Sequence, residues 1–370
     1  MTKRIMHAVD GSLSEQPYGH DGQAIYSVSR GGLNALLMDL AEQQDNVTLH
    51  FDQKCVGADL QTATAIFENR AGEQTQAEAD VLIGADGAFS AVRNQMMRQD
   101  RFQYSQNYID HGYKELMIPA NADGTHRIET KALHIWPRGN YMLIALPNMD
   151  GSFTYTLFFP FEGEYSFDTL QTEAQVLSFF EEVFPDVVPH MPILVEDYFE
   201  NPTSSLSIIR CYPWTVSDKV LLIGDAAHAT VPFYGQGMNA GFEGCFVLDQ
   251  LLEQFGDDWK GCFDEYSRYR KPDGDGVQDL SMHNFVVMRD KTADEQFLLQ
   301  KKIELKFSKK YPDKWLPLYS MVTFSNIRYS KAWEIGQQQE SLMQEIMQMP
   351  NIESLWDSEI VEQKILALIG

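Results

Sequence analysis

The stretch Val220–Cys245, VLLIGDAAHATVPFYGQGMNAGFEGC, decides how the rest of the chain is read. It opens on a short apolar run, Val220–Ile223, of strand length. Gly224 and Asp225 follow, then an Ala-Ala-His step and a loop rich in Pro, Phe, Tyr and Gly. Met238, Phe242, Cys245, Leu248, Leu252 and Phe255 then recur at helical spacing. Strand, acidic residue, glycine-rich loop and helix N-terminus are the parts from which α/β proteins build a seat for a phosphate-bearing or anionic ligand. A bare Gly-Asp also suits an ordinary βα junction whose Asp caps the loop. The length of the string, GDAAH continued by P-F-x-G-Q-G-M-N, separates the two readings.

Composition sets the outer limits. A chain of 370 residues with 44% apolar residues can bury a sizeable core in one large or two smaller domains. A net charge of −24 argues against nucleic acid and anionic membrane surfaces as partners. Cys55, Cys211, Cys245 and Cys262 show neither CxxC spacing nor a paired His pattern, so no metal site is expected and a reducing cytosol suits them. No apolar run approaches the roughly 18 residues of a membrane span, and MTKRIMHAVDGS lacks a signal-peptide core. A cytoplasmic location without a membrane anchor is the expectation.

Working outward from the central stretch, Asp80–Gly87 (DVLIGADG) repeats the pattern of strand followed by Asp-Gly, with a helix over Phe89–Met97. Two such strands predict one sheet with a ligand along its C-terminal edge. Upstream, residues 1–25 read as irregular with a turn at Pro17-Tyr18-Gly19, and Ser27–Gln43 as a helix with Ser29 as a cap. Asn46–Asp52 and Thr62–Asn69 read as strands, and Glu73–Ala79 as a polar connection. Tyr113–Ile118, Ala132–Trp136, Tyr141–Leu146 and Ser152–Phe159, separated by turn strings, predict an antiparallel layer. Thr169–Phe184 is a predicted helix and Ser204–Cys211 a strand. The remainder reads as helices at Phe242–Phe255, Trp259–Lys271, Val277–Thr292 and Gln296–Tyr311, then Trp315–Phe324 and a last segment to Met347.

The chemistry of the central stretch is legible residue by residue. A carboxylate at Asp225 suits a ribose- or ribityl-type diol, because it accepts two hydrogen bonds from such hydroxyls. The helix starting near Gly235–Asn239 offers unsatisfied N–H groups to an anionic edge. Gly235 and Gly237 let the backbone come close to a flat ring.

GDAAH with PFYGQGMN resembles the second flavin motif of the FAD-dependent aromatic hydroxylases. Gly84-Ala85-Asp86-Gly87…Ser90…Arg93, placed ahead of it, is similar to that family's DG motif. Further strings resemble its kynurenine 3-monooxygenase branch: HGYKEL at 111–116, LHIWPR at 133–138, YMLIALPN at 141–148, Ser152-Phe153-Thr154…Phe158, and LPLYSMVTFS at 316–325. The resemblance runs from about Arg4 to about Tyr329. It implies a p-hydroxybenzoate-hydroxylase-like FAD-binding fold of the α/β class, with an antiparallel substrate sheet and C-terminal helices. The corresponding domains are 1–103 with 208–275 for FAD, 104–207 for the substrate sheet, and 276–370 for the helical region.

Carried over position by position, the resemblance places Arg4 and Tyr18 on the carboxylate of an aromatic amino acid, L-kynurenine, and Asn284 and Tyr319 at its polar end. Leu133, Met142, Leu146, Phe158, Pro232, Phe233 and Met288 would wall its ring. Arg30, Cys55, Asp86, Gly87, Asp225, Gly237, Met238 and Asn239 would touch the flavin. The reaction implied is hydroxylation to 3-hydroxykynurenine with NADPH and O2, in tryptophan degradation. The cofactor carries that chemistry, so no catalytic nucleophile or acid–base pair is expected. A homodimer is an expectation of the same kind. His228 reads as a packing residue.

Two departures from the family stand out. Its NYxEM helix reads Asn284-Phe285-Val286-Val287-Met288 here, with Val287 in place of a glutamate. No G-x-G-x-x-G precedes Arg4 or occurs elsewhere, and a βαβ unit needs about 30 residues or more. The expectations are an incomplete parallel sheet, exposed edges at Val81–Gly84 and Val220–Gly224, and weak or absent FAD binding by this chain alone. Two further readings stay open at this point: a split or non-catalytic remnant, and a flavin hydroxylase of another aromatic.

Overall fold

The computed structural model describes residues 1–18, 22–288 and 294–370. In chain order the elements begin with β1 (Lys3–His7), β2 (Leu13–Pro17), α1 (Arg30–Glu42), β3 (Lys54–Asp59), β4 (Thr64–Glu68), β5 (Gln74–Glu78), β6 (Leu82–Gly84) and α2 (Ala91–Met96). Next come β7 (Gln103–Ile118), β8 (Ala132–Pro137), β9 (Met142–Pro147), β10 (Phe153–Pro160), α3 (Glu173–Val183), α4 (Leu194–Glu200), β11 (Ser204–Tyr212), β12 (Thr215–Val216) and β13 (Val220–Leu222). The rest is helical: α5 (Asp225–His228), α6 (Gly237–Phe255), α7 (Trp259–Val286), α8 (Glu295–Lys310), α9 (Leu318–Phe324), α10 (Tyr329–Met347), α11 (Ile352–Leu355) and α12 (Glu359–Ile369).

The chain divides into two compact units, residues 1–49, 108–206 and 287–292, and residues 50–107, 207–286 and 293–370. The first unit is organised by a sheet of order β11-β7-β10-β9-β8-β1-β2. Alternation sends Trp136, Leu143, Ala145, Phe153, Tyr155, Leu157 and Phe159 to one face, where they pack with Val176, Phe179 and Phe180 of α3 and Leu194 and Tyr198 of α4. Residues 1–25, read as irregular from sequence, contribute two strands here. β1 pairs in parallel with β8, with Arg4 opposite Leu133, and antiparallel with β2. That pairing places the N-terminal segment with the antiparallel sheet, not with residues 50–103. Ser29 caps α1 as expected, its side chain accepting from the Gly32 N–H, but no residue of α1 is buried. The expected strand at Asn46–Asp52 is irregular, with Val47 and Phe51 exposed.

The second unit holds two small sheets. β3, β4 and β5 form an antiparallel meander in which the expected polar connection, QTQAE, is a fully exposed strand. β12-β13-β6 is the other sheet, with β13 and β6 parallel. Of the two edges expected to be exposed, β6 does end its sheet, whereas β13 is flanked on both sides and buried throughout. Val220, Leu221 and Leu222 pack with Val92, Met96, Trp214, Phe263 and Tyr266. The helices expected at Trp259–Lys271 and Val277–Thr292 are one, α7, which runs through Pro272. Close packing keeps it continuous: a Cβ on Gly274 would lie 3.1 Å from the His228 Cβ, and one on Gly276 would lie 2.7 Å from the Ser330 nitrogen. The expected end of that helix beyond Met288, and Gly19 of the expected turn, lie outside the described residues.

Candidate flavin and substrate residues

In the second unit the site grows from β13. After Leu222 the chain needs a sharp turn, and Gly224 supplies it with φ +57° and ψ −142°, a conformation closed to residues with a side chain. The Ala227 and His228 N–H groups donate back to the Gly224 carbonyl at 2.9 and 3.0 Å, closing α5. Asp225 thereby stands at the start of this turn, and among the described residues no donor reaches its carboxylate. Although Asp225 keeps an exposed surface, the atoms packed around its carboxyl partly desolvate it and push it above the ordinary range. A partly desolvated acceptor without a donor fits the hydroxyls of a ribityl or ribose chain. His228 is buried beside Trp214, its pKa lowered to about 4 by burial and then by the Arg270 charge, so it stays neutral as a packing residue.

The loop that follows ends in Gly235, left-handed at φ +67°, and α6 begins at Gly237 with no side-chain cap. Its first N–H groups are left for a ligand edge, the arrangement an electron-rich ring edge requires. Gln236 accepts instead from Asn239 and from the Tyr329 hydroxyl, both at 3.0 Å, which fixes the loop. Met238 is 44% exposed beside it. The donor set and the open helix start therefore fit the flavin end of an FAD.

The DG motif is built differently from its expected role. Asp86 uses one oxygen to accept from the Ala91 and Val92 N–H groups, at 2.7 and 3.2 Å, and so caps α2. Gly87 turns with φ +79°. Arg93, 1% exposed, donates to the Ala88 carbonyl at 2.6 Å and to the Ala226 carbonyl at 2.9 Å. This buried tie between the two motifs was not among the sequence candidates, although its signal was the Arg three residues after Ser90. Cys55 is half-buried on β3, its Sγ 3.5 Å from the Gly57 carbonyl, and burial raises its pKa.

Three expected substrate residues converge in this unit. Asn284 donates to the Phe233 carbonyl at 2.6 Å, and Phe233 packs on Phe285 with ring centroids 4.4 Å apart. Tyr319 stacks on Tyr234 at 5.6 Å, so α7 and α9 together hold the PFY turn. Pro232 is exposed at its start. Met288, which falls in the first unit, is half-buried.

In the first unit the remaining candidates share one sheet face. Arg4 is in register with Leu133, Pro137 with Met142, and Met142 with Phe158. Period-two alternation puts Arg4, Leu133, Met142, Leu146 and Phe158 on the face opposite the α3–α4 core. The Arg4 guanidinium lies 4.7 Å from the centroid of the Tyr18 ring. Arg30, 77% exposed by its side chain, forms an ion pair with Glu115 at 2.5 Å.

The chain is similar to proteins of known function. The family described as FAD binding domain matches residues 10–281. The chain is 54% identical over 370 residues, 100% of its length and 82% of the relative's, to the kynurenine 3-monooxygenase of Flavobacterium johnsoniae. It is 42% identical to that of Myxococcus xanthus, over 96% of this chain and 77% of the relative. The same figure, 42%, holds for that of Sus scrofa, over 90% and 70%. Among solved structures, 2-methyl-3-hydroxypyridine-5-carboxylic acid oxygenase superposes with a TM-score of 0.63 at 21% identity, covering 80% of this chain and 76% of that one. A single-residue variant of Klebsiella pneumoniae HpxO complexed with FAD superposes at 0.61 and 19%, covering 84% and 80%. These structural likenesses establish the α/β hydroxylase fold.

Proposed function

This chain belongs to the kynurenine 3-monooxygenase family of FAD-dependent hydroxylases, and on that footing we propose what its residues do. The enzyme is an FAD-dependent monooxygenase that hydroxylates L-kynurenine to 3-hydroxykynurenine with NADPH and O2. The observation that carries this reading is identity at 54% of positions over the whole chain to a relative of that name.

When bound, the flavin would supply the redox and oxygen-transfer chemistry. The chain supplies orientation. Asp225 would accept from the cofactor's hydroxyls, and the N–H groups at Gly237, Met238 and Asn239 would favour negative charge at the ring edge. Asp86 and Gly87 hold the turn that Arg93 ties to Ala226. Arg30 and Cys55 are further flavin candidates, carried by the family resemblance alone.

Arg4 and Tyr18 hold the substrate carboxylate, a guanidinium and a phenol fixing its orientation. Leu133, Met142, Leu146 and Phe158 present an apolar face to the aminophenyl ring. Pro232, Phe233, Met288, Asn284 and Tyr319 are further substrate candidates, carried by the family resemblance alone. No side chain among these is asked to act as nucleophile or base. An acidic chain with four free thiols, and no helix among the described residues able to cross a membrane, fits a cytoplasmic enzyme.

The test is direct. Purified protein supplied with FAD is assayed for kynurenine-dependent NADPH oxidation, with 3-hydroxykynurenine followed by mass spectrometry. NADPH oxidation stimulated by another aromatic and not by kynurenine would overturn the substrate assignment.

A further inference from the structure

On the core face of the first unit's sheet, three polar side chains form a continuous line that ends on a backbone carbonyl. The Asp186 carboxylate oxygen Oδ2 is 2.9 Å from His7 Nδ1, His7 Nε2 is 2.9 Å from His134 Nδ1, and His134 Nε2 is 2.8 Å from the Glu129 carbonyl oxygen. Trp136 Nε1 also donates to Asp186 Oδ2, at 2.8 Å, and the His7 ring stacks on Trp136 with centroids 3.9 Å apart. His7 and His134 are both buried.

The proton count of this line is fixed by its ends. The Glu129 carbonyl can only accept, so His134 Nε2 carries a hydrogen. Asp186 Oδ2 already accepts from Trp136, so it accepts from His7 as well and His7 Nδ1 carries a hydrogen. The central His7–His134 bond then needs a third hydrogen between two nitrogens. Two neutral imidazoles hold two N–H groups and the line needs three. The relay is complete only with one extra proton, as one imidazolium beside one carboxylate.

Its position gives that proton a consequence. His7 ends β1, an outer strand held by β8 on one side and by the exposed hairpin strand β2 on the other. Ile5 is in register with His134, and Arg4 with Leu133. Arg4 and His7 are three residues apart on one strand, so they project from opposite faces. The relay therefore clamps β1 to β8 from behind while Arg4 and Leu133 stand on the front. Arg138 adds a second fastening by donating to the His7 carbonyl at 2.9 Å.

We propose that His7, His134 and Asp186 are positioning residues that hold one shared proton, and that this proton sets the register of Arg4 and hence the affinity for the substrate carboxylate. The proposal rests on Arg4 having the role given above. The groups facing the relay are Lys3 on β1, Glu129 before β8, Arg138 at the end of β8 and Tyr155 on β10. Burial, opposed by the Glu129 carbonyl and assisted by the His7 charge, lowers the His134 pKa. At Asp186 burial works against the charge, but the hydrogen bonds from His7 and Trp136 and the His7 charge outweigh it and hold the carboxyl low. The Asp186 side chain is 38% exposed, so the proton leaves to water through it. When it leaves, one of the three bonds is lost and β1 loosens. Binding of the carboxylate therefore weakens as pH rises.

Two measurements on the full chain test this. The first is a ¹⁵N-histidine NMR titration from about pH 6 to about pH 9. It should show one imidazole doubly protonated at neutral pH and its neighbour as the Nε2–H tautomer, the two changing together. Both rings neutral at pH 7, or titrating independently, would overturn the proposal. The second is calorimetric binding of L-kynurenine over the same range. Wild type should lose about three- to tenfold in affinity as the relay deprotonates, the scale of one hydrogen bond. His134→Asn, whose amide can donate to a neutral His7, should bind without that pH step. Asp186→Asn should move the step to lower pH. A step unchanged in both variants would refute the relay. Arg4→Gln binding kynurenine as wild type does would instead refute the role of Arg4, leaving the NMR result standing.

Discussion

Arg93 donates from its guanidinium to the carbonyl of Ala226 at 2.9 Å, across the 133 residues that separate the DG turn from the GDAAH turn. The two motifs are therefore one mechanical piece. Truncating Arg93 to Met would leave the buried Ala226 carbonyl and the half-buried Ala88 carbonyl without their donor. An unsatisfied buried group costs about 1–3 kcal/mol, so the urea midpoint should fall correspondingly. Arg93→Lys, with one ammonium for two carbonyls, should lie between.

Asp225 sets function against stability. Its carboxyl is raised by burial, so the folded chain releases that proton at higher pH than the unfolded chain does. The ionised group therefore disfavours folding above the unfolded-state pKa, and the penalty stops growing only above the folded-state pKa. Asp225→Asn removes it. The variant without FAD should melt slightly higher than wild type at pH 7, the gain kept small by the exposed surface of Asp225, and lose the advantage in acid. Its FAD affinity, measured by flavin fluorescence quenching, should fall about tenfold or more, as expected for hydrogen bonds to a charged acceptor.

Asp273 is the point on which α7 and α10 are hung. It is fully buried and accepts from Arg328 at 2.9 Å, from the Ser330 hydroxyl at 2.7 Å and from the Ser330 N–H at 3.1 Å, with Arg270 at 3.3 Å. Asp273→Ala removes the shared acceptor of Arg328 and Ser330, while Arg270 keeps Glu243 at 2.9 Å, and should cost about 1–3 kcal/mol, read as a lower thermal midpoint. Arg268→Ala on the exposed side of the same helix, where the pair with Glu265 is solvated, should change the midpoint little.

How far these arrangements could be read in the sequence depends on where each element finds its partners. Val220–His228 was legible because a buried apolar run, a glycine turn and an acidic residue are all local signals. β1 was not, since KRIMH carries little apolar pattern and its partner β8 lies more than a hundred residues away. β5 is polar throughout and exists as a strand only through its hairpin with β4. Pro272, Gly274 and Gly276 looked like helix breakers in α7, yet the glycines are what lets the helix approach His228 and Ser330. Arg4 and Tyr18 became candidates only through the family resemblance, and their contact follows from a strand pairing no local rule predicts. The role of Arg93 was missed because a buried arginine on a short helix has no signature until its carbonyl partners are in place.

The Arg4–Tyr18 contact provides the sharpest functional prediction. The guanidinium lies over the phenol ring at 4.7 Å, so its plane and its donors are oriented before a carboxylate arrives. Arg4→Lys keeps the charge but loses the planar fork and the stacking surface. The substrate KM should rise about tenfold or more while kcat changes little, because carboxylate binding is shared by ground state and transition state. Tyr18→Phe keeps the ring under the guanidinium and removes only the hydroxyl, so it should cost less than Arg4→Lys. A fall in kcat at unchanged KM in Arg4→Lys would show that Arg4 acts on the reacting ring and not on the carboxylate.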